Sequence, residues 1–186
     1  MKIRVIIPCF NEGKVVKKTY DRLTEILTEN SKTRRYYYDL LFIDDGSKDN
    51  TIEHIQHLAE YDEHVKYISF SRNFGKEAAM IAGFQHSVNF DAVVMIDGDL
   101  QHPPEFIPKM VEMYQQGFDQ VVAKRDRSGE NVARKTMSKL YYKLINSFVE
   151  DIKFSDGVGD FRLLSQRAVQ AMTSLDEYNR FSKGLF

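Results

Sequence analysis

Ala92-Val93-Val94-Met95-Ile96-Asp97-Gly98-Asp99-Leu100-Gln101-His102-Pro103-Pro104-Glu105 is the stretch on which the fold turns. Its first five residues are apolar and rich in β-branched side chains, the pattern of a strand buried on both faces of a parallel sheet. The run stops at a carboxylate, and Gly98 lets the backbone bend before the second carboxylate. Two carboxylates one residue apart at the exit of a buried strand make a compact place for a divalent cation. Hard cations such as Mg²⁺ take oxygen ligands and leave positions for phosphate and water. Gln101 adds a neutral oxygen from the same turn. The plainer reading is an Asx turn capping the next helix. Pro103-Pro104 falls where that helix would begin, as proline favours a first helical position.

Outward from this stretch the same alternation repeats. Short apolar runs at 3–7, 39–43, 65–70 and 118–122 read as further strands beside 92–96. Between them lie helical patterns. Val16, Tyr20, Leu23 and Leu27 share one face, and Asn50 with Glu53 resembles a capping box opening a helix over 51–60. The segment 76–88 carries Ala78, Ala79, Ala82 and Gly83, small enough for close packing on a sheet. Met137, Leu140, Leu144 and Phe148 predict a long amphipathic helix near 131–149, preceded by a polar loop at 124–131. Strand and helix alternating from end to end predict an α/β fold with a mostly parallel central sheet. In such sheets ligands bind beyond the carboxyl ends of the strands. The segments 8–12, 44–47, 71–76 and 97–101 all follow a strand, so the fold should gather them on one edge.

Composition bounds the possibilities. The 186 residues suit one domain with a sizeable core, and a formal net charge of −1 carries no nucleic-acid signal. One region departs from that balance: between Lys124 and Lys143 stand seven basic residues and two acidic ones. That surplus is either a solvated helix face or a landing surface for a phosphate or an anionic membrane. Cys9 is the only cysteine, which excludes an internal disulfide and a multi-cysteine metal site. No apolar run approaches the roughly 18 residues that span a bilayer. The chain stops in the basic, aromatic stretch Arg180-Phe181-Ser182-Lys183-Gly184-Leu185-Phe186, the ending expected of a fragment.

Four more constellations carry chemistry. Pro8-Cys9-Phe10-Asn11-Glu12 offers a stacking ring and polar contacts for a base or ribose, or simply a helix-start turn. Cys9 reads as a packed small residue, because nothing pairs it with a base. In Asp44-Asp45-Gly46-Ser47 one carboxylate can accept from a nucleobase or ribose; the alternative is a turn with a helix cap. Ser71-Arg72-Asn73-Phe74-Gly75-Lys76-Glu77 opens a helix with two cations, where an anion binds naturally; the alternative is surface salt bridging between Lys76 and nearby acids. Asp160, in Gly157-Val158-Gly159-Asp160-Phe161-Arg162, is either a carboxylate of the reacting side or a partner for Arg162 within a flexible turn. The five histidines form no zinc pattern; His54 and His57 fall on an exposed helix face, and His102 adjoins the carboxylate pair without the pattern of a ligand. Neither a P-loop nor a dinucleotide fingerprint occurs.

Taken together, P-C-F-N-E, D-D-G-S-x-D, S-R-N-F-G-K-E, D-G-D-L-Q-H-P-P-E and G-D-F-R-L resemble family 2 glycosyltransferases. The likeness is to the branch that transfers sugars to dolichyl and polyprenyl phosphates, and it spans almost the whole chain. It implies a Rossmann-like GT-A fold over residues 1–186, a nucleotide-diphosphate sugar donor such as UDP-glucose or UDP-GlcNAc, and Mg²⁺ or Mn²⁺. It implies Pro8, Phe10, Asn11, Glu12, Asp44, Asp45, Lys76 and Asp97 at the nucleotide sugar, and Asp97, Asp99 and Gln101 at the metal. Arg125, Arg134 and Ser138 resemble positions that take the acceptor phosphate, with Asp99, Asp160 and Arg134 at the reacting centre. The acceptor would be a polyprenyl phosphate at the cytoplasmic face of a membrane, with membrane helices following the last residues and a homo-oligomer as one arrangement. Nucleic acid is not an expected partner. Two other functions fit the motifs. One is transfer to a glycan hydroxyl in cell-wall or surface polysaccharide synthesis, with Asp160 as the base. The other is a nucleotide-binding module without turnover.

Overall fold

Residues Lys2–Cys9 form the first strand, β1, and their side chains divide between two apolar layers. Ile3, Val5, Ile7 and Cys9 enter one layer and Ile6 the other, the period-2 alternation of a strand covered on both faces. A computed structural model describes residues 1–124 and 158–174. Among these, β1 is joined by β2 (Tyr37–Asp44), β3 (Val65–Ser69), β4 (Ala92–Met95), β5 (Gln120–Lys124) and β6 (Val158–Ser165). They make one sheet in the order β3-β2-β1-β4-β6-β5. The first four pair in parallel, while β6 runs antiparallel to both β4 and β5. The α/β fold with a mostly parallel sheet is the one expected.

Among the described residues five helices cover the sheet: α1 (Val16–Arg34), α2 (Thr51–Tyr61), α3 (Lys76–Gln85), α4 (Ile107–Gln115) and α5 (Gln166–Thr173). Val16, Leu23 and Leu27 of α1, Ile55 of α2 and Ile107, Met110 and Val111 of α4 fill one layer. Ala79, Met80 and Phe84 of α3 with Val169 of α5 fill the other. Leu23 and Leu27 are fully buried, each contributing about 1.5–3 kcal/mol of apolar burial. The small residues of α3 matter at Gly83, where a Cβ would lie 2.6 Å from Ile6 Cγ2 and 2.9 Å from Ile43 Cδ1. The helix rests almost directly on the sheet.

Several expectations need correction. In place of the expected turn, Val158–Ser165 is strand β6, in which Arg162 is buried along with Phe161, Leu163 and Leu164. Its Gly159, the Gly157 that precedes it in sequence and its mixed charges hid the pattern. The strand expected at 118–122 begins two residues later, because Gly117, at φ 100°, turns the chain out of α4 and leaves Phe118 exposed. Asn50 makes no side-chain cap on α2; Asp49 Oδ1 instead accepts from the Thr51 N–H at 3.1 Å. α3 ends at Gln85, three residues short of the expected end. The double proline opens a single 3₁₀ turn, Pro104–Phe106, that leads into α4. Gly98 does not take a left-handed conformation; its Cβ would lie 3.1 Å from Cys9 Sγ and 3.3 Å from the Pro8 carbonyl, so it is there for close packing. The helix expected near 131–149, the loop at 124–131 and the chain's last residues lie outside the described residues.

Candidate active site

The carboxyl ends of β1, β2 and β4 and the start of α3 close around one cavity of about 320 Å³. That is the lower end of the range for small-ligand sites. Pro8, Phe10, Glu12, Asp45, Lys76, Asp97 and Asp99 all line it, so the sheet gathers most of the expected donor-side residues. Phe10 offers a ring that is 42% exposed.

Each loop is held by a specific bond. Asp45 Oδ1 and Oδ2 accept from the Phe74 and Gly75 N–H groups at 2.7 and 2.9 Å, which clamps the 71–75 loop onto the end of β2. Asp45 thus reaches the cavity with both oxygens already in use. Asp44 is buried and does not line the cavity; it accepts from the Ser47 N–H and the Ser69 hydroxyl, both at 3.2 Å. Asn11, at φ 56°, also turns elsewhere. Its N–H donates to Ser47 Oγ at 2.9 Å and its side-chain oxygen accepts from the Lys48 N–H at 2.8 Å, pinning two loops together. For Asp44 and Asn11, then, the structure replaces direct cavity contact with loop support. The short polar side chains that suit a ligand suit a turn equally well.

The carboxylate pair follows β4. Asp97 and Asp99 both face the cavity, whereas Gln101 is exposed and outside its lining. The Gln101 N–H donates to Asp99 Oδ1 at 3.0 Å, the Asx turn weighed as the plainer reading, here coexisting with an open carboxylate face. Leu100 sits in the left-handed region at φ 58°, a conformation that costs a non-glycine residue about 1–2 kcal/mol. Thr19, buried on α1, donates its hydroxyl to the Gly98 carbonyl at 2.7 Å and fixes the turn from below. Sequence reasoning missed that threonine, because its role depends on a residue 79 positions away. Asn73 and Gly75 of the S-R-N-F-G-K motif form part of the wall, and Ala79, expected only to pack on the sheet, lines it as well.

Among the described residues, Lys76 is the cation that lines the cavity. Its Nζ lies 2.5 Å from Asp97 Oδ1 and 2.7 Å from Asp160 Oδ2. Partial burial works to lower the ammonium pKa, yet the bonds and charges of Asp160 and Asp97 outweigh it and hold the group above its ordinary value. Asp160 arrives through the antiparallel register of β6: Arg162 pairs with Met95, so two residues further on Asp160 comes beside Asp97. Arg162 Nη2 is 3.9 Å from Asp160 Oδ1, and burial pushes the Arg162 guanidinium down to about 10. Glu12 is raised by its burial and then by Asp99, Asp49 and Asp97. Cys9 is pushed up by burial, with Glu12, Asp44 and Asp97 adding to it, and stays a packed thiol as expected. His102 Nε2 is 4.0 Å from Asp97 Oδ2 and its ring lies against Phe161. His54 and His57 are exposed on α2. Arg125, Arg134 and Ser138 lie outside the described residues.

Residues 4–173 match the model of the family described as glycosyl transferase family 2. The chain belongs to that family. It is 50% identical over 184 residues to CsbB of Bacillus subtilis (strain 168), which carries a glycosyltransferase name, covering 99% of this chain and 54% of CsbB. It is 41% identical over 186 residues to the bactoprenol glucosyl transferase of Shigella phage SfX, covering 100% of this chain and 59% of that protein. The chain therefore spans a little over half the length of these curated relatives. Its fold is similar to that of the Pyrobaculum calidifontis mannosyltransferase PcManGT, solved with GDP-mannose and Mn²⁺. The TM-score is 0.63 at 17% identity, over 91% of this chain and 46% of that one. Among the described residues of this family 2 chain, no helix is long and apolar enough to cross a membrane.

Proposed function

We propose that this chain carries the sugar-transfer chemistry of an inverting glycosyltransferase that moves a sugar from a UDP-sugar, UDP-glucose or UDP-GlcNAc, to a polyprenyl phosphate. The observation that supports it best is the convergence of Phe10, Glu12, Lys76, Asp97 and Asp99 on one cavity at the carboxyl edge of the sheet. The bactoprenol glucosyl transferase name of relatives at about four-tenths identity supports the acceptor and favours glucose. Phe10 stacks on the base while Glu12 and Pro8 border the ribose. Asp44, Asp45 and Asn11 keep the loops of this pocket in place.

The donor set fits a divalent cation. Asp97 and Asp99 present oxygen ligands only. Among the described residues no group of three His, Cys, Asp or Glu side chains could hold a metal alone. Two carboxylates with positions left for diphosphate and water suit Mg²⁺ or Mn²⁺, and the Mn²⁺ in the PcManGT structure supports the same class. Gln101 would reach such a site only by turning its exposed side chain inward. Bound there, the cation would neutralise charge on the departing diphosphate, the electrostatic task that dominates this kind of transfer. Lys76 supplies a second positive charge beside it.

A phosphate acceptor is already ionised at neutral pH, so its oxygen attacks the anomeric carbon directly. The new carbon–oxygen bond forms as the bond to UDP breaks, and no proton needs removing. A sugar hydroxyl would need a base, and Asp160, the candidate, is committed to an ion pair with Lys76. That commitment favours the phosphate acceptor. Arg125, Arg134 and Ser138 are proposed to receive it, at the cytoplasmic face of a membrane.

The test is transfer from UDP-glucose and UDP-GlcNAc to undecaprenyl phosphate in Mn²⁺. We expect turnover that chelation abolishes, a fall of at least about a hundredfold in Asp99→Asn, reflecting the several kcal/mol a metal supplies, and residual activity in Asp160→Asn. Complete loss in Asp160→Asn, with transfer to a glycan hydroxyl by the wild type, would sink the phosphate-acceptor reading.

A further inference from the structure

The role of Lys76 as a second positive charge at the diphosphate does not account for its bond to Asp97. Its ammonium bonds to Asp97 Oδ1 at 2.5 Å, and Asp97 is the carboxylate that the reading above also gives to the cation. Two positive charges drawn to one carboxylate within a few ångströms of each other repel. In a partly buried site that repulsion is worth far more than in water. A second anchor, Asp160 Oδ2 at 2.7 Å, keeps the ammonium inside the cavity when it leaves Asp97. The Lys76 side chain is 39% exposed and hangs from the first residue of α3, so its four-carbon stem has room to swing. The neighbouring Asp45 clamp holds the loop before it, which makes the side chain, rather than the backbone, the part that moves.

We infer that Lys76 is an internal counter-ion that competes with the divalent cation for Asp97, and yields the carboxylate when the donor diphosphate gives its ammonium a new partner. The cation then binds poorly alone and well together with the nucleotide, because the diphosphate removes its competitor. Lys76 is a positioning residue for the metal and a binding residue for the diphosphate. This inference rests on the assignment of Asp97 to the cation.

The experiment measures Mn²⁺ binding to the protein without nucleotide, by the electron paramagnetic resonance of free Mn²⁺ and by calorimetry. Lys76→Met is expected to bind Mn²⁺ about tenfold more tightly than wild type, a coupling of ordinary size, and to bind UDP more weakly at saturating Mn²⁺. Lys76→Arg, which keeps the charge, should stay near the wild-type Mn²⁺ affinity. A variant that misfolds loses Mn²⁺ rather than gaining it, so the direction of change guards against a trivial result. In an Asp97→Asn background the gain from Lys76→Met should vanish, the coupling that a double-mutant cycle isolates. Unchanged or weaker Mn²⁺ binding by Lys76→Met overturns the inference, as does a gain that persists without Asp97. If Asp97→Asn and Asp99→Asn instead leave wild-type Mn²⁺ binding intact, the metal assignment itself fails, and the competition with it.

Discussion

Gly46 shows how much of the site depends on single positions. It takes φ 66°, and a Cβ there would stand 2.3 Å from the Arg72 carbonyl carbon and 2.7 Å from the Asn73 nitrogen. Both neighbours are backbone, so no side-chain rotation relieves the overlap. Gly46→Ala is expected to cost about 1–3 kcal/mol. Because the displaced loop carries Asn73 and Gly75 of the cavity wall, UDP affinity should fall with it. Thermal unfolding and calorimetric UDP titration check the two effects; wild-type values in both would mean the loops are not packed this closely. The same scale limits what D-D-G-S revealed. The motif announced a carboxylate pair, but not that Asp44 turns to Ser47 and Ser69 while Asp45 holds the 71–75 loop. Which of two adjacent carboxylates faces inward depends on N–H groups some 30 positions away.

The strands carry their own polar interior, away from the cavity. Arg4 of β1 grips Asp39 of β2 through two bonds of 2.8 and 2.6 Å, and both side chains are largely buried, at 11% and 4% exposure. Arg4 also lies 4.0 Å above the Phe90 ring. Asp39→Ala would leave that guanidinium without its carboxylate and is expected to cost about 3–5 kcal/mol. Arg4 and Asp39 are register partners five residues before the Cys9–Asp44 pair, roughly 16 Å along the strands from the cavity edge. UDP affinity of the folded variant should therefore match wild type, and a denaturant midpoint beside a UDP titration tests both halves. Strand β6 marks the limit of local patterning. Strands β1, β2 and β4 were legible because the apolar runs at 5–7, 40–43 and 92–96 outweigh the single charges Arg4 and Asp39. β6 is interrupted by Asp160 and Arg162, and the partner of Asp160, Lys76 of α3, is one that local sequence cannot show.

For the molecule as a whole, Asp62 connects α1 with the turn before β3. It accepts from the Tyr20 hydroxyl at 2.8 Å and from the His64 N–H at 2.9 Å. Partial burial works to raise its pKa, and the His64 N–H, the Tyr20 hydroxyl and the His64 ring together outweigh that and hold it below the ordinary carboxylate value. The unfolded chain then takes up the proton first. The stabilisation is complete above the unfolded value of about 3.9 and drains away as pH falls through the lower folded value. Urea midpoints between pH 6 and 2.5 should drop more steeply at the acid end for wild type than for Asp62→Asn. Identical profiles would show that Asp62 contributes nothing to acid stability.

The sequence by itself determined the α/β alternation, the family and the residue types that meet at the site. These follow from local periods, 2 for strands and 3.6 for helices, and from motifs written within a few residues. Only the tertiary structure decided which side chain of each motif faces the cavity, that Thr19 braces the Gly98 turn, and that β6 enters antiparallel beside β4. The same register brings Asp160 to Asp97 and sets Lys76 between them. The physical reason is that strand order and register arise from burying whole faces of the sheet at once. The opening carboxylate pair thus meets Lys76 from α3 and, through it, Asp160 from β6, and no window of sequence around it contains that lysine and that aspartate together.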